Sequence, residues 1–156
     1  MKYVALLRGI GPGNPNMTKE KFTEFFQGLG FTNVSVVISS GNIVFESDEK
    51  DSAKIENLIE EQLPIKLGYS RAAIVRSHDE LVQFIASDPY KGIKDEAPNY
   101  LLVTFFKDRR PPLSSVLDMT DANTTKFMAK LDKEYKKAVT SRTWKTIQRI
   151  MKVMEK

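Results

Sequence analysis

The stretch NVSVVISSGNIVFES, residues 33–47, decides the fold. Two runs rich in Val, Ile and Phe are joined through Ser40, Gly41 and Asn42, and this reads as a β-hairpin because Gly and Asn tolerate the positive φ of a tight turn. Before it stands an amphipathic helix. Phe22, Phe25, Phe26 and Leu29 fall at i, i+3, i+4 and i+7 and so share one face. Thr18 supplies the N-cap, Gly30 the stop, and Met17 with Phe22 the positions of a hydrophobic staple. Further back, YVALLR at 3–8 is a strand that runs into the loop GIGPGNPN at 9–16.

Beyond the hairpin, Asp51 or Ser52 opens a second helix that turns Ile55, Leu58, Ile59 and Leu63 inward and is expected to stop or kink at Pro64. RAAIVR at 71–76 makes a fourth strand. The order is βαββαβ, the ferredoxin-like split βαβ arrangement. Ser77 and Glu80 then form a capping box for a helix with Leu81, Phe84 and Ile85 inside. NYLLVTFF at 99–106 is a strand, and 113–118 is either a short strand or an irregular connection. Two helices are expected to close the chain, over 124–137 and 142–155. The fold class is therefore α+β: a ferredoxin-like first half over 1–77 and an α+β second half over 78–156, packed tightly or forming one compact body. Strands apolar on consecutive residues predict a sheet covered on both faces.

Composition narrows the chemistry. The 156 residues include no Cys and one His, which removes disulfides, thiol nucleophiles and Cys-based zinc sites. No metal or cofactor is expected. The opening segment lacks the long apolar region of a signal peptide and no run reaches membrane-spanning length, so a cytoplasmic protein with no membrane partner is the expectation. The net charge is +4, and residues 109–156 carry all of the basic excess, 12 Lys and Arg against 5 Asp and Glu. Such asymmetry points to an anionic partner or to a solubilising helix face.

The expected topology brings distant residues together. The first and second strands run parallel with the third between them, so Arg8 should approach Ser39, Ser40 and Asn42 on the rim that also carries the Gly9–Gly13 loop. That rim is a candidate receiver for a phosphate or carboxylate. Arg142 and Lys145, read as the first turn of the last helix, oppose its dipole and would be relieved by an anion. Trp144 starts the apolar stripe of that helix, and Lys145, Arg149, Lys152 and Lys156 line its opposite face. The glycine loop lacks the Lys-Ser/Thr of a Walker loop and the GxGxxG of a dinucleotide fingerprint. GNIVFES lacks the stacking aromatics of an RNA-recognition motif, which leaves sequence-indifferent electrostatic contact with nucleic acid. His78, Asp79 and Glu80 stand at adjacent helix positions that do not face each other, which gives acid–base catalysis no support.

The first 47 residues, with LLRGI, the Gly/Asn loop, a helix ending LGF and a strand pair around SGN, resemble the opening of the domain-of-unknown-function family 1697. TSRTWKTIQRI is similar to that family's closing segment. The resemblance implies a ferredoxin-like α+β fold and supplies no activity, cofactor or catalytic residue. It sets Arg8, Ser40, Gly41, Asn42, Arg142 and Trp144 within the two stretches by which the family is recognised. The expected function is a non-catalytic binding module for an anionic small molecule, with Arg8, Gly9, Ser40, Asn42, Arg142, Trp144 and Lys145 as the ligand-binding residues. The alternatives are a small-molecule enzyme of unknown reaction at the same pocket, and binding of nucleic acid or protein through the basic C-terminal helix.

Overall fold

A computed structural model describes residues 1–11, 13–38, 41–118, 123–135 and 138–156, the side chains of 123–125, 128 and 132 excepted. The chain is α+β. Its elements are β1 (Lys2–Leu7), α1 (Lys19–Gly28), β2 (Thr32–Val36), β3 (Asn42–Glu46), α2 (Ser52–Lys66), β4 (Ala73–Ser77), α3 (His78–Ala86), β5 (Asn99–Phe106), β6 (Leu113–Asp118), α4 (Asn123–Tyr135), β7 (Val139–Thr143) and α5 (Trp144–Met154).

Two antiparallel sheets form, one ordered β2-β3-β1-β4 and the other β6-β5-β7. In the first, β3 pairs antiparallel with both β1 and β2, so those two run parallel with β3 between them, as the sequence predicts. Alternation along β1 divides the core. Tyr3, Ala5 and Leu7 face α1 and α2 in one apolar cluster with Phe22, Phe26, Phe45, Ile55 and Ile59. Val4 and Leu6 face a second cluster built jointly by both halves, with Leu101, Val103, Phe105, Ile147 and Ile150. Both faces of the first sheet are therefore covered. At ~1.5–3 kcal/mol for each large apolar side chain removed from water, this shared cluster is a major tie between the halves.

The local signals behave as expected at three helix starts. Thr18 accepts from the Lys21 amide, Asp51 from the Ala53 amide, and Ser77 with Glu80 forms a complete capping box. Other expectations need correction. Pro64 neither stops nor ends α2, which continues to Lys66. The second strand is shorter than 33–39 and ends at Val36, while 113–118 is a regular strand in register with β5. The largest difference is at the C-terminus: the helix expected over 142–155 begins only at Trp144, and Val139–Thr143 is a strand paired with β5. Thr143 is the N-cap, accepting from the Thr146 amide. VTSRT is rich in β-branched residues, and strand pairing opposite Leu102–Phe106 outweighs continuation of the helix.

The outer edge of β4 is closed by charge. Glu60, Glu56 and Glu80 accept from the amides of Ala73, Val75 and Ser77 at 3.3, 2.8 and 3.2 Å. Lys107 donates to the Ala73 carbonyl at 3.0 Å, and Arg109 and Arg76 to that of Val75 at 3.2 and 2.9 Å. The charges also pair: Glu56, only 2% exposed, lies 2.9 Å from Arg109, 3.5 Å from Arg76 and 3.6 Å from Lys107. Arg76 also donates to the Phe106 carbonyl of β5. Removing this deeply buried carboxylate takes the acceptor from the Val75 amide and a counter-charge from three cations. Glu56→Ala is expected to lower unfolding free energy by about 3–5 kcal/mol in chemical denaturation. Glu56→Gln, which keeps an acceptor for Val75, is expected to cost less.

Candidate functional site

Two cavities open on either side of Gly9, at the C-terminal end of β1 where the two sheets meet. The larger, about 770 Å³, is lined by Arg8, Gly9, Glu60, Ser70, Arg71 and Ala72 from the first half and by Lys107, Tyr135 and Ala138 from the second. The smaller, about 300 Å³, is lined by Leu7, Gly9, Ile10, Tyr100, Leu102, Ser141, Arg142, Thr143 and Thr146.

Arg142 crosses between the sheets. Its Nε donates to Asn42 Oδ1 at 2.6 Å, Nη1 to Thr140 Oγ1 at 2.6 Å and to the Ser141 carbonyl at 2.9 Å. Nη2 donates to the carbonyls of Leu7 at 2.8 Å and Gly41 at 3.5 Å. Five N–H groups thus meet five neutral acceptors on three strands and the β2–β3 turn. Among the described residues no carboxylate pairs with this guanidinium. Desolvation pushes its pKa down to about 10, which still leaves it charged at neutral pH. The expected approach of the closing segment to Asn42 is therefore observed. The expected reason is not: Arg142 precedes the helix, so no first-turn conflict with the dipole exists at that residue.

The turn that receives Arg142 depends on Gly41. Its φ is +81°, and a Cβ there would lie 2.8 Å from Ile10 Cγ1 and 2.9 Å from the Leu7 carbonyl oxygen. Asn42 is fully buried, with its side-chain amide donating to the Val37 carbonyl at 3.1 Å while its oxygen receives Arg142. The pair Gly41-Asn42 is thus explained by close approach and by a buried hydrogen-bond relay.

Around the larger cavity the charges are arranged differently. Arg8 Nη1 donates to the Val139 carbonyl at 2.8 Å. Arg71 donates through Nε to the Gly9 carbonyl at 3.1 Å and through Nη1 to the Ser70 carbonyl at 2.7 Å, which leaves Nη2 without a partner among the described residues. Lys107 Nζ lies 2.6 Å from Glu60 Oε1. Among the described residues, three cations and one carboxylate line this cavity.

Of the other residues singled out in the sequence, Ser39 and Ser40 lie outside the described residues. Trp144 packs edge to face against Tyr90 at 5.1 Å and Phe84 at 6.1 Å, as part of the second apolar cluster, and Lys145 is exposed on α5; neither lines the two cavities. Arg8 and Arg142 both reach the end of β1 but border different cavities. The sequence reading missed Arg71, Glu60, Lys107 and Tyr135. One signal was available: β4 runs antiparallel to β1, so the residue that opens RAAIVR must lie beside the residues that close YVALLR. Among the described residues no group of three His, Asp or Glu could hold a metal ion, and no helix is long and apolar enough to cross a membrane.

Two measurements check this geometry. Arg142→Lys is expected to destabilise the fold nearly as much as Arg142→Ala in thermal denaturation, because an ammonium cannot serve five acceptors in a planar fork. Tyr90 donates to the Leu102 carbonyl at 2.6 Å, and burial, with Asp95 nearby, pushes its pKa up to about 12 from 10. A raised phenol pKa means that its contribution is complete below pH 10 and is lost as pH rises toward 12. Tyrosinate absorbance should show a late-titrating step near pH 12 that is missing in Tyr90→Phe.

The family described as "Protein of unknown function (DUF1697)" matches residues 1–147. Among solved structures, a conserved bacterial protein of Streptococcus pneumoniae, SP0830, superposes with a TM-score of 0.78 at 18% identity, over 99% of this chain and 98% of that one. This likeness is one of fold. No curated protein sequence matches the chain.

Proposed function

The chain belongs to the DUF1697 family of unknown function, and from that premise we propose that it is a non-catalytic binding module for an anionic small molecule, held in the larger cavity at the end of β1. The observation that carries this reading is Arg71 on the cavity lining: its Nη2 keeps two N–H groups that no acceptor takes among the described residues. A guanidinium in this state forms charge-assisted hydrogen bonds to phosphate or carboxylate oxygens.

Of the residues expected from the sequence, Arg8 and Gly9 belong to this site. Arg142, Asn42 and Gly41 act from behind it, holding the end of β1 against β7 so that Gly9 and Arg8 keep their place on the rim. Gly9 itself, at φ +73°, is approached by Arg71 so closely that a Cβ would sit 3.1 Å from its Nε.

The reading predicts that inorganic phosphate or citrate raises the melting temperature in proportion to the logarithm of its concentration once above the dissociation constant. Arg71→Gln should abolish most of that rise while leaving the ligand-free melting temperature within about 2 °C, because Arg71 is a partly exposed side chain whose contacts among the described residues are two loop carbonyls and the face of Tyr69 at 5.3 Å. No rise with either anion, or a rise unchanged in Arg71→Gln, would remove this site from consideration.

A further inference from the structure

We infer that α5 is a contact surface for the phosphate backbone of a nucleic-acid duplex, indifferent to base sequence and separate from the cavity proposed above. The apolar residues of α5, Ile147, Ile150, Met151 and Met154, are buried in the second apolar cluster. At 3.6 residues per turn, Lys145, Arg149 and Lys152 fall within roughly 60° of one another on the opposite side of the helix. All three are exposed, as are Gln148 beside them and Lys156 just past the helix end. Arg76, Lys107, Arg109, Arg110 and Lys130 each pair with a carboxylate. Among the described residues Lys145, Arg149 and Lys152 make no ion pair and no side-chain hydrogen bond. Glu155, the acidic residue nearest them in the chain, lies 3.7 Å from His78 on the flank toward α3. Lys145 also stands in the first turn, where no acidic residue offsets the positive end of the helix, so an anion there relieves a repulsion.

The chemistry of the face selects the partner. With its apolar side in the core, α5 has nothing to insert among acyl chains, which an interfacial membrane helix requires. No aromatic side chain stands among its exposed residues, so the stacking that holds single strands is missing from this face. What the face offers is a straight line of positive charge about 10 Å long at ~1.5 Å per residue, on a helix packed against the core along its whole apolar side. A duplex is the complement. It carries one negative charge per ~1.7 Å of axis along a rod that stays straight over ~150 base pairs, so three aligned cations reach phosphates without bending either partner. Gln148 adds a neutral donor for phosphate or sugar oxygens. The excess of 12 Lys and Arg over 5 Asp and Glu in residues 109–156 gives the approach a field of the same sign at longer range.

Fluorescence anisotropy of a labelled DNA duplex of about 20 base pairs, titrated with the full chain at several salt concentrations, tests this. Three neutralised phosphates predict a slope of about −2.7 in log K against log salt, a loss of about fortyfold between about 50 and 200 mM, the same for duplexes of unrelated sequence. The triple variant Lys145→Gln, Arg149→Gln, Lys152→Gln, folded by its melting profile, should lose at least about tenfold in affinity and flatten the slope. An equal loss of charge at the exposed Lys50, Lys54 and Lys66, each to Gln, should leave the slope unchanged. Arg71→Gln should bind the duplex as the unaltered protein does, so failure of this contact and failure of the cavity reading are told apart. The inference is overturned by no binding at about 50 mM salt, by equal losses from the two triple variants, or by an α5 variant that binds like the unaltered protein. A single strand of the same length, or phosphatidylserine vesicles, bound more tightly than the duplex overturns it as well.

Discussion

The edge of β4 is the constraint on which the rest of the structure depends. An edge strand leaves alternate amides and carbonyls without sheet partners, and buried they would cost about 1–3 kcal/mol each. Here the amides of Ala73, Val75 and Ser77 go to three carboxylates, while the carbonyls of Ala73 and Val75 go to cations. Two of those carboxylates belong to α2 and two of the cations to the segment after β5, so closing the edge also ties the second half to the first. Glu56 joins the two sets, and because burying its charge costs desolvation energy, it depends on the surrounding cations and the Val75 amide together to offset that cost. Lys107 reaches the wall of the larger cavity because it is needed at that edge.

Arg142 makes the complementary tie at the other end of the interface. Its partners are all neutral, so the hydrogen bonds it forms are directional and short while its charge stays uncancelled by any described carboxylate. Arg71, by contrast, uses two of its three nitrogens on loop carbonyls, and the third has no acceptor among the described residues. The acceptor count thus separates a saturated arginine from one with N–H groups to spare, a difference that net charge alone does not show.

Much of this architecture was legible in the sequence because it is local. The stripe Phe22, Phe25, Phe26, Leu29, the caps Thr18, Asp51 and Ser77, and the hairpin around Gly41-Asn42 are set by neighbours within a few residues, and the strand order of the first sheet follows from them. The C-terminus was less legible. Residues 139–143 carry a strand-like composition directly before a strongly amphipathic helix, and only the presence of β5 as a pairing partner separates the two. The approach of Arg142 to Asn42 could be anticipated from topology and motif, but the saturation of its N–H groups could not, because three of its acceptors are backbone carbonyls that leave no mark on composition. For the same reason Lys107 and Glu60 were invisible: their partners are edge atoms of a strand, and which edge is free is a tertiary fact.

Neither half holds the larger cavity by itself. Arg8 and Arg71 come from one side, Lys107, Tyr135 and Ala138 from the other, and the separation between them is set by the Glu56 cluster and the Arg142 fork. A negative ligand seated there would add a third bridge across the same interface. Arg8, Arg71 and Lys107 are each held by carbonyl oxygens, which fix their positions, and Lys107 is paired with Glu60 and Glu56 as well. Side chains fixed in place in this way leave little reorganisation to oppose the binding of a ligand.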